Sequence, residues 1–375
     1  MTPPGNNRGR PRHPRAKQAR GASRVGERFE AVVGPVAHGG HCVVRLPDPV
    51  SRVVFVRHAI PGERVVLEIT EGTDGDRFWR GDAVEVLEAS PDRVLAPCPY
   101  AGPDLCGGCD FQHVTLDRQR SLKADVVREQ LHRLAKLDVD VEVEAVPGDD
   151  DGLHWRTRQR YVTLPGGGRA MRKHRSHELV PVDTCLLEAA SPSPHTALGR
   201  TFEVADDGFW QVHPGAPDAL VTTVLSMLRP QPGERCLDLY AGVGLFAAFL
   251  LDAVGESGRV VAIEGDPEAS RLSSVNCPGA VVSAGSVDAV LATSYDEPFD
   301  LVVLDPPREG ARRPVVEAIV DRAPRAIAYV ACDPAALARD LATFAEHGYT
   351  LQELRAFDLF PMTHHVECVA LLERV

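Results

Sequence analysis

The stretch Asp238-Leu239-Tyr240-Ala241-Gly242-Val243-Gly244 decides the fold. It joins the end of an apolar run to a helical pattern, and its glycines let a ligand approach the backbone closely. Outward from it, strand and helix alternate. Strands are predicted near 235–239, 259–263, 280–283, 300–304 and 326–331, with helical stretches between them. A helix before them is marked by Leu220, Val221, Val224, Leu225 and Leu228. This pattern implies an α/β, doubly wound parallel sheet covered on both faces. Segments near 350–357 and 366–373 follow one another without a helix, so a hairpin is predicted there. The second strand ends in Glu264, an acid placed to accept hydrogen bonds from ribose hydroxyls. Ala247 and Ala248 stand where a nicotinamide fingerprint would put its third glycine, and Asp238 suits a positively charged ligand better than a pyrophosphate.

Upstream, residues 29–90 hold short alternating strands separated by Gly/Pro turns, which predicts a small, oligonucleotide-binding type of β-barrel. A Cys-rich loop follows, and then a helix from about Thr115 to Ala135, with Leu122, Val126, Leu131 and Leu134 at helical spacing. Residues 139–190 read as mixed strands. Arg156, Arg158, Arg160, Arg169, Arg172, Lys173, His174 and Arg175 make that stretch basic, with Trp155 and Tyr161 interleaved. Phosphate contacts and aromatic stacking of this kind hold single-stranded RNA, although a solvated charged face has the same composition. The expected organisation is a basic tail at 1–28, the barrel at 29–90, a mixed α+β central region at 91–205 and the α/β domain at 206–375.

Composition sets the outer limits. The chain has 375 residues, 44% hydrophobic and 25% charged, which excludes disordered, collagen-like and disulfide-scaffold classes. No apolar run approaches the length of a membrane span, and the N-terminus lacks a secretory pattern, so a cytoplasmic protein is expected. The net charge of −12 hides an asymmetry. Residues 1–28 carry eight basic residues and one acid, which leaves −19 on the remainder. That Arg/Pro/Gly tail is expected to be disordered. An acidic body argues against tight binding of bulk DNA but allows a local basic groove.

Two strand ends point at the same crevice as the glycine loop. Leu301-Val302-Val303-Leu304-Asp305-Pro306-Pro307-Arg308 puts a carboxylate there, and Tyr329-Val330-Ala331-Cys332-Asp333-Pro334 puts a thiol there. Separately, Cys98, Cys106 and Cys109 cluster in sequence, and Cys185 can supply a fourth thiolate. Four thiolates suit a [4Fe–4S] cluster or structural zinc, and spacing alone does not choose. Cys42, Cys236, Cys277 and Cys368 read as small core residues.

These motifs, with Cys106-Gly107-Gly108-Cys109-Asp110-Phe111-Gln112-His113, Phe209-Trp210-Gln211-Val212-His213 and His365-Val366-Glu367, resemble the RNA uridine-5 methyltransferases. The resemblance covers about residues 27–375. It implies a class I methyltransferase domain that uses S-adenosylmethionine to make 5-methyluridine in tRNA or rRNA, a TRAM barrel and an iron–sulfur segment. It assigns cofactor contacts to Gln211, Tyr240, Glu264 and Asp305, the nucleophile to Cys332 and the base to Glu367. It tips the Cys98, Cys106, Cys109 and Cys185 set to [4Fe–4S] over zinc. Radical chemistry is not implied, because the C-x3-C-x2-C triad is absent. RNA is the expected partner, with no membrane and no obligate protein partner. Three positions depart from the family pattern: His213 and Asp333 stand where Asn is usual, and Leu245 replaces a polar residue of some members.

The chemistry explains why these residue types are needed. Uracil C5 is too weak a nucleophile until a thiolate adds at C6 and makes C5 enolate-like. After methylation a base must remove the C5 proton so that the thiol can leave. The target base must also leave its stack to be reached. RNA cytosine-5 methylation is the alternative within the class, but it wants a second Cys near the Asp305 motif. A silent RNA-binding homologue is the alternative outside the class, and intact Cys332 and Glu367 argue against it.

Overall fold

The computed structural model describes residues 21–47, 49–191 and 194–374. Strands β1 (Arg28–Val32), β2 (Val36–Ala37), β3 (His41–Arg45), β4 (Val53–Arg57), β5 (Arg64–Glu71) and β6 (Phe78–Glu88) form one sheet in the order β1-β5-β6-β4-β3-β2. The outer strands β1 and β2 are consecutive in the chain. Gly34 between them donates its N–H to Val43 O at 2.9 Å, which curls the sheet onto itself. A Cβ at Gly34 would lie 2.5 Å from that oxygen, so the closure needs glycine. Alternating residues such as Val65, Leu67 and Ile69 fill the interior, as the sequence pattern predicts.

Of the basic segment 1–28, residues 1–20 lie outside the described residues. The remainder is seated on the barrel rather than free. Arg24 and Gly26 donate backbone N–H groups to Gly72 O and Ile69 O, and the Arg24 side chain pairs with Asp74 and Glu27. Backbone pairing, which composition does not register, holds this stretch.

Helix α1 (Leu116–Gln130) continues into one π-turn at Leu131–Ala135, close to the predicted span. Strand β7 (Val143–Ala145) comes next. Strands β8 (Val162–Thr163), β9 (Arg169–Arg172) and β10 (Leu179–Pro181) form a small antiparallel sheet. A short pair follows, β11 (Thr196–Ala197) and β12 (Arg200–Thr201).

The alternating region then runs α2 (Ala216–Leu228), β13 (Arg235–Leu239), α3 (Leu245–Val254), β14 (Arg259–Glu264), α4 (Pro267–Asn276), β15 (Val281–Ala284), α5 (Val287–Thr293), β16 (Leu301–Leu304), α6 (Arg312–Asp321), β17 (Ala326–Ala331), α7 (Pro334–Glu346), β18 (Tyr349–Asp358) and β19 (Glu367–Arg374). The sheet order is β15-β14-β13-β16-β17-β19-β18-β7. Strands β13 to β17 pair in parallel, β19 runs antiparallel to β17, and β18 and β19 pair antiparallel as predicted. The parallel strands are apolar throughout because apolar clusters cover both faces.

Two readings of the central region are corrected. Helix α1 and strand β7 do not stand apart from the α/β domain. β7 adds to its sheet beside β18, and Val127, Leu131 and Val143 share an apolar cluster with Leu237 and Phe344. Residues 155–161 form no strand, and Trp155 is only 1% exposed, packed with Leu187 and Met362. Its indole is core, not a stacking platform.

One buried ion pair fastens α1 to the loop after β18. Lys123 Nζ donates to Asp358 Oδ1 at 2.5 Å and to Phe360 O at 3.0 Å, and both side chains are almost fully enclosed. Removing one partner of such a pair strands the other charge, at a cost of about 3–5 kcal/mol. Lys123→Ala should therefore lower the urea midpoint of unfolding strongly. Lys123→Met combined with Asp358→Leu should recover most of the loss. A Lys123→Ala midpoint equal to that of the unmodified protein would show that the pair contributes nothing.

Candidate active site

The strand ends of the sheet open into one cleft of about 1220 Å³. Gln211, Tyr240, Glu264, Asp305, Cys332 and Glu367 all line it. These six positions span 157 residues of sequence and come from six separate segments, so their convergence is a property of the fold.

The glycine loop is built for close approach. Tyr240 sits at φ 62°, Gly242 at φ 55° and Gly244 at φ 91°. A Cβ at Gly244 would fall 2.6 Å from Cys277 Sγ, whereas one at Gly242 would meet nothing within 4 Å, which leaves that side open to a ligand. Glu264 accepts from the N–H of Gly242 at 2.8 Å and of Asp266 at 2.6 Å, so the acid is held at the loop. Asp238 accepts from Ala247 N–H at 2.8 Å through one oxygen, while its other oxygen is buried without a partner. Burial pushes its carboxyl up to about 8, with Asp305 and Glu264 adding to the effect.

Glu367 is also a buried acid, and Asp305 is half-buried. Burial raises Asp305 to about 7. Burial, and then the Asp305 charge, raise Glu367 well above the usual carboxylate range. Burial pushes the Cys332 thiol up to about 12, helped by Glu367 and Asp305. The cleft thus gathers acidic groups whose charges are unpaid, an environment that favours a cation. Sequence reading passed over three further lining residues. Arg308 donates toward His365 Nε2 at 3.3 Å, Phe360 walls the cleft, and Phe209 stands 68% exposed beside it. Arg308 and Phe209 lie inside motifs already singled out, and their neighbours were the signal.

The departures at His213 and Asp333 have local explanations. His213 is buried before α2, where its Nδ1 accepts from Gly215 N–H at 3.2 Å and its Nε2 lies 3.7 Å from Asp149. Asp333 caps α7 by accepting from Ala336 N–H at 2.8 Å.

Cys98, Cys106, Cys109 and Cys185 line a single cavity, joined there by Gln112 and Arg156. Gly108 N–H points to Cys106 Sγ at 3.4 Å, and Gln112 Nε2 to Cys109 Sγ at 3.3 Å. Among the described residues, however, no three His, Cys, Asp or Glu side chains converge closely enough to hold one metal ion.

The basic stretch divides. Arg158 donates to Gly208 O and to Asp207 O, Lys173 pairs with Asp104 and Glu178, and Arg169 lies over Tyr161 at 4.6 Å. These charges hold the protein together and are not spare. Arg156 alone of the group reaches the walls of both the large cleft and the cysteine cavity.

The architecture is that of a class I methyltransferase joined to a TRAM barrel. Residues 22–84 match the TRAM domain family, and residues 286–375 match the tRNA (uracil-5-)-methyltransferase family. A protein of Streptomyces avermitilis named as an uncharacterized RNA methyltransferase is 42% identical over 93% of this chain and 99% of its own. The 23S rRNA (uracil(1939)-C(5))-methyltransferase RlmD of Chromohalobacter salexigens is 30% identical over 90% of this chain and 88% of its own. The tRNA (uracil-54, C5)-methyltransferase of Pyrococcus abyssi, solved with S-adenosyl-L-homocysteine, shares the fold at a TM-score of 0.64 and 20% identity, covering 91% of this chain and 99% of that one. The chain belongs to the RNA uracil-C5 methyltransferase family.

The raised carboxyls carry a pH dependence with a definite sign. Between about 4 and 8 the folded chain holds protons on Asp238 and Asp305 that the unfolded chain has released. Without ligand, the melting temperature should therefore fall as pH climbs through that window. Asp238→Asn should flatten the slope, as followed by thermal melts at several pH values. An equal slope in the variant would remove Asp238 as its source.

Proposed function

We propose that this chain methylates C5 of a uridine in ribosomal or transfer RNA, with S-adenosylmethionine as the methyl donor and a covalent Cys332–C6 adduct as the intermediate. The observation that carries this reading is the convergence of Cys332, Glu367 and Asp305 with Gln211, Tyr240 and Glu264 in one cleft. When bound, the donor supplies an electrophilic methyl group on a sulfonium. The residues fit such a cation: the partnerless Asp238 oxygen, the loop acid Glu264 and the half-buried Asp305 all favour positive charge, and Gly242 leaves room for it.

Cys332 loses its proton to water, and its sulfur bonds to uracil C6 as the C5–C6 double bond opens toward the C4 oxygen, which makes C5 nucleophilic. Once C5 carries the methyl group, Glu367 takes the C5 proton and the C6–S bond breaks, returning Cys332 as thiolate. The raised position of Glu367 suits a base, since an ionised Glu367 in that setting binds a proton strongly. Cytosine-5 methylation is disfavoured because Cys332 is the one cysteine among the residues lining the cleft.

The cysteine cavity is proposed to hold a [4Fe–4S] cluster. The support is that all four thiols line one cavity, and four thiolates are the ligand set of such a cluster. Two N–H groups directed at these sulfurs suit thiolate ligands.

Cys332→Ala should abolish methylation and leave cofactor affinity intact. Glu367→Gln should stall after methyl transfer and stay attached to RNA on a denaturing gel. Turnover by the alanine variant removes Cys332 as nucleophile, and normal turnover by the glutamine variant means that another group is the base. Nucleoside mass spectrometry with site mapping would then name the uridine.

For the cysteine cavity, protein purified without oxygen should contain iron and sulfide. Cys106→Ser or Cys109→Ser should lose both and become easier to unfold. Stoichiometric zinc without iron in the wild-type protein would overturn the cluster.

A further inference from the structure

The barrel turn Ala37-His38-Gly39-Gly40-His41 reaches across to the loop that carries Cys332. His38 Nε2 lies 3.0 Å from Asp333 Oδ2, although the two are 295 residues apart in sequence. The other oxygen of Asp333 caps α7, the helix that starts directly after the thiol. A second contact presses the turn into place. Gly40 sits at φ 76°, and a Cβ there would fall 2.6 Å from His364 Cβ and 3.3 Å from Asp110 Cβ. Between the turn and the loop lies a cavity of about 150 Å³ walled by His38, Arg308, Cys332, Asp333, His364 and His365. Cys332 therefore borders two spaces, the large cleft on one side and this barrel-roofed cavity on the other.

We propose that His38 is a positioning residue for methyl transfer: from the barrel it holds Asp333, and through it the cap that sets the Cys332 loop, so that the barrel completes the active site. The proposal rests on Cys332 being the nucleophile. A carboxylate one residue from a thiol opposes thiolate formation, and Asp333 adds to the rise of Cys332 after burial, Glu367 and Asp305. An imidazole N–H donated to Asp333 draws that charge away from the thiol. Burial alone would raise Asp333, but the His38 hydrogen bond and the backbone donors of α7 outweigh it and hold the carboxyl below its usual range. The other charged or titratable groups facing the pair are Arg308 after β16, Lys123 of α1, and His364 and His365 before β19. Asp110 stands behind His364, and Glu367 and Asp305 lie on the cleft side of Cys332. The His38 side chain is 40% exposed, so replacing it removes the contact without opening a core.

The test is single-turnover methyl transfer into a uridine-containing RNA across a pH series. The proteins are the unmodified enzyme, His38→Ala, His38→Gln, Asp333→Asn, and His38→Ala with Asp333→Asn. His38→Ala should slow transfer by about tenfold or more, the worth of a charge-assisted hydrogen bond, with cofactor affinity unchanged. His38→Gln, which keeps a donor, should restore part of the rate. In the Asp333→Asn background His38→Ala should cost little, because the carboxylate through which it acts is gone. A His38→Ala rate equal to wild type, or the same deficit in both backgrounds, overturns the proposal. Failure of the nucleophile assignment reads out separately, as turnover by Cys332→Ala.

Discussion

One buried carboxylate joins the three parts of the molecule. Asp110 accepts from His364 through Nδ1 at 2.6 Å and through its backbone N–H at 3.1 Å, and lies 3.6 Å from Arg57 at the end of β4. It directly follows Cys109, whose carbonyl accepts from the same Arg57 at 3.3 Å. The backbone N–H groups of Asp110 and Phe111 both donate to Met362 O. Burial by itself would favour a neutral Asp110, but His364 and Arg57 outweigh it and keep the carboxyl ionised. The barrel, the cysteine loop and the segment leading to Glu367 are therefore tied through one residue. A shift of any of them strains a fully enclosed charge, and such charges tolerate little displacement.

How legible this was depended on what each signal reports. Strands β13 to β17 were readable because a strand buried on both faces is a continuous apolar run, and the barrel because its strands alternate. Periodicity says which face of α1 is apolar but not what it packs against, so its union with the methyltransferase sheet was invisible. Counting charge fails in the same way. Arg158 and Lys173 read as spare cations, and only the fold supplies Gly208 O, Asp104 and Glu178 as their partners.

The site divides along the same line. Tyr240, Glu264, Asp305 and Cys332 follow strands of one parallel sheet, and the rule that ligands bind at the carboxyl ends of such strands is enough to gather them. Glu367 begins an antiparallel strand and Gln211 lies ahead of α2, so no strand-end rule reaches them; they were found through motif resemblance alone. His38 had neither signal. It sits in a glycine turn of another domain, and its meeting with Asp333 exists only after the barrel docks.

The electrostatics of the cleft also give the proposed reaction a direction. Asp238, Asp305 and Glu367 are all raised, so the site resists its own negative charge. A sulfonium relieves that resistance by favouring the ionised forms, and the same ionisation readies Glu367 to accept a proton. Methyl transfer turns the sulfonium into a neutral thioether, and the relief disappears with the charge. The site is then complementary to the donor and less so to the spent product, so a cleft that resists its own negative charge favours exchange of product for fresh donor after each turnover.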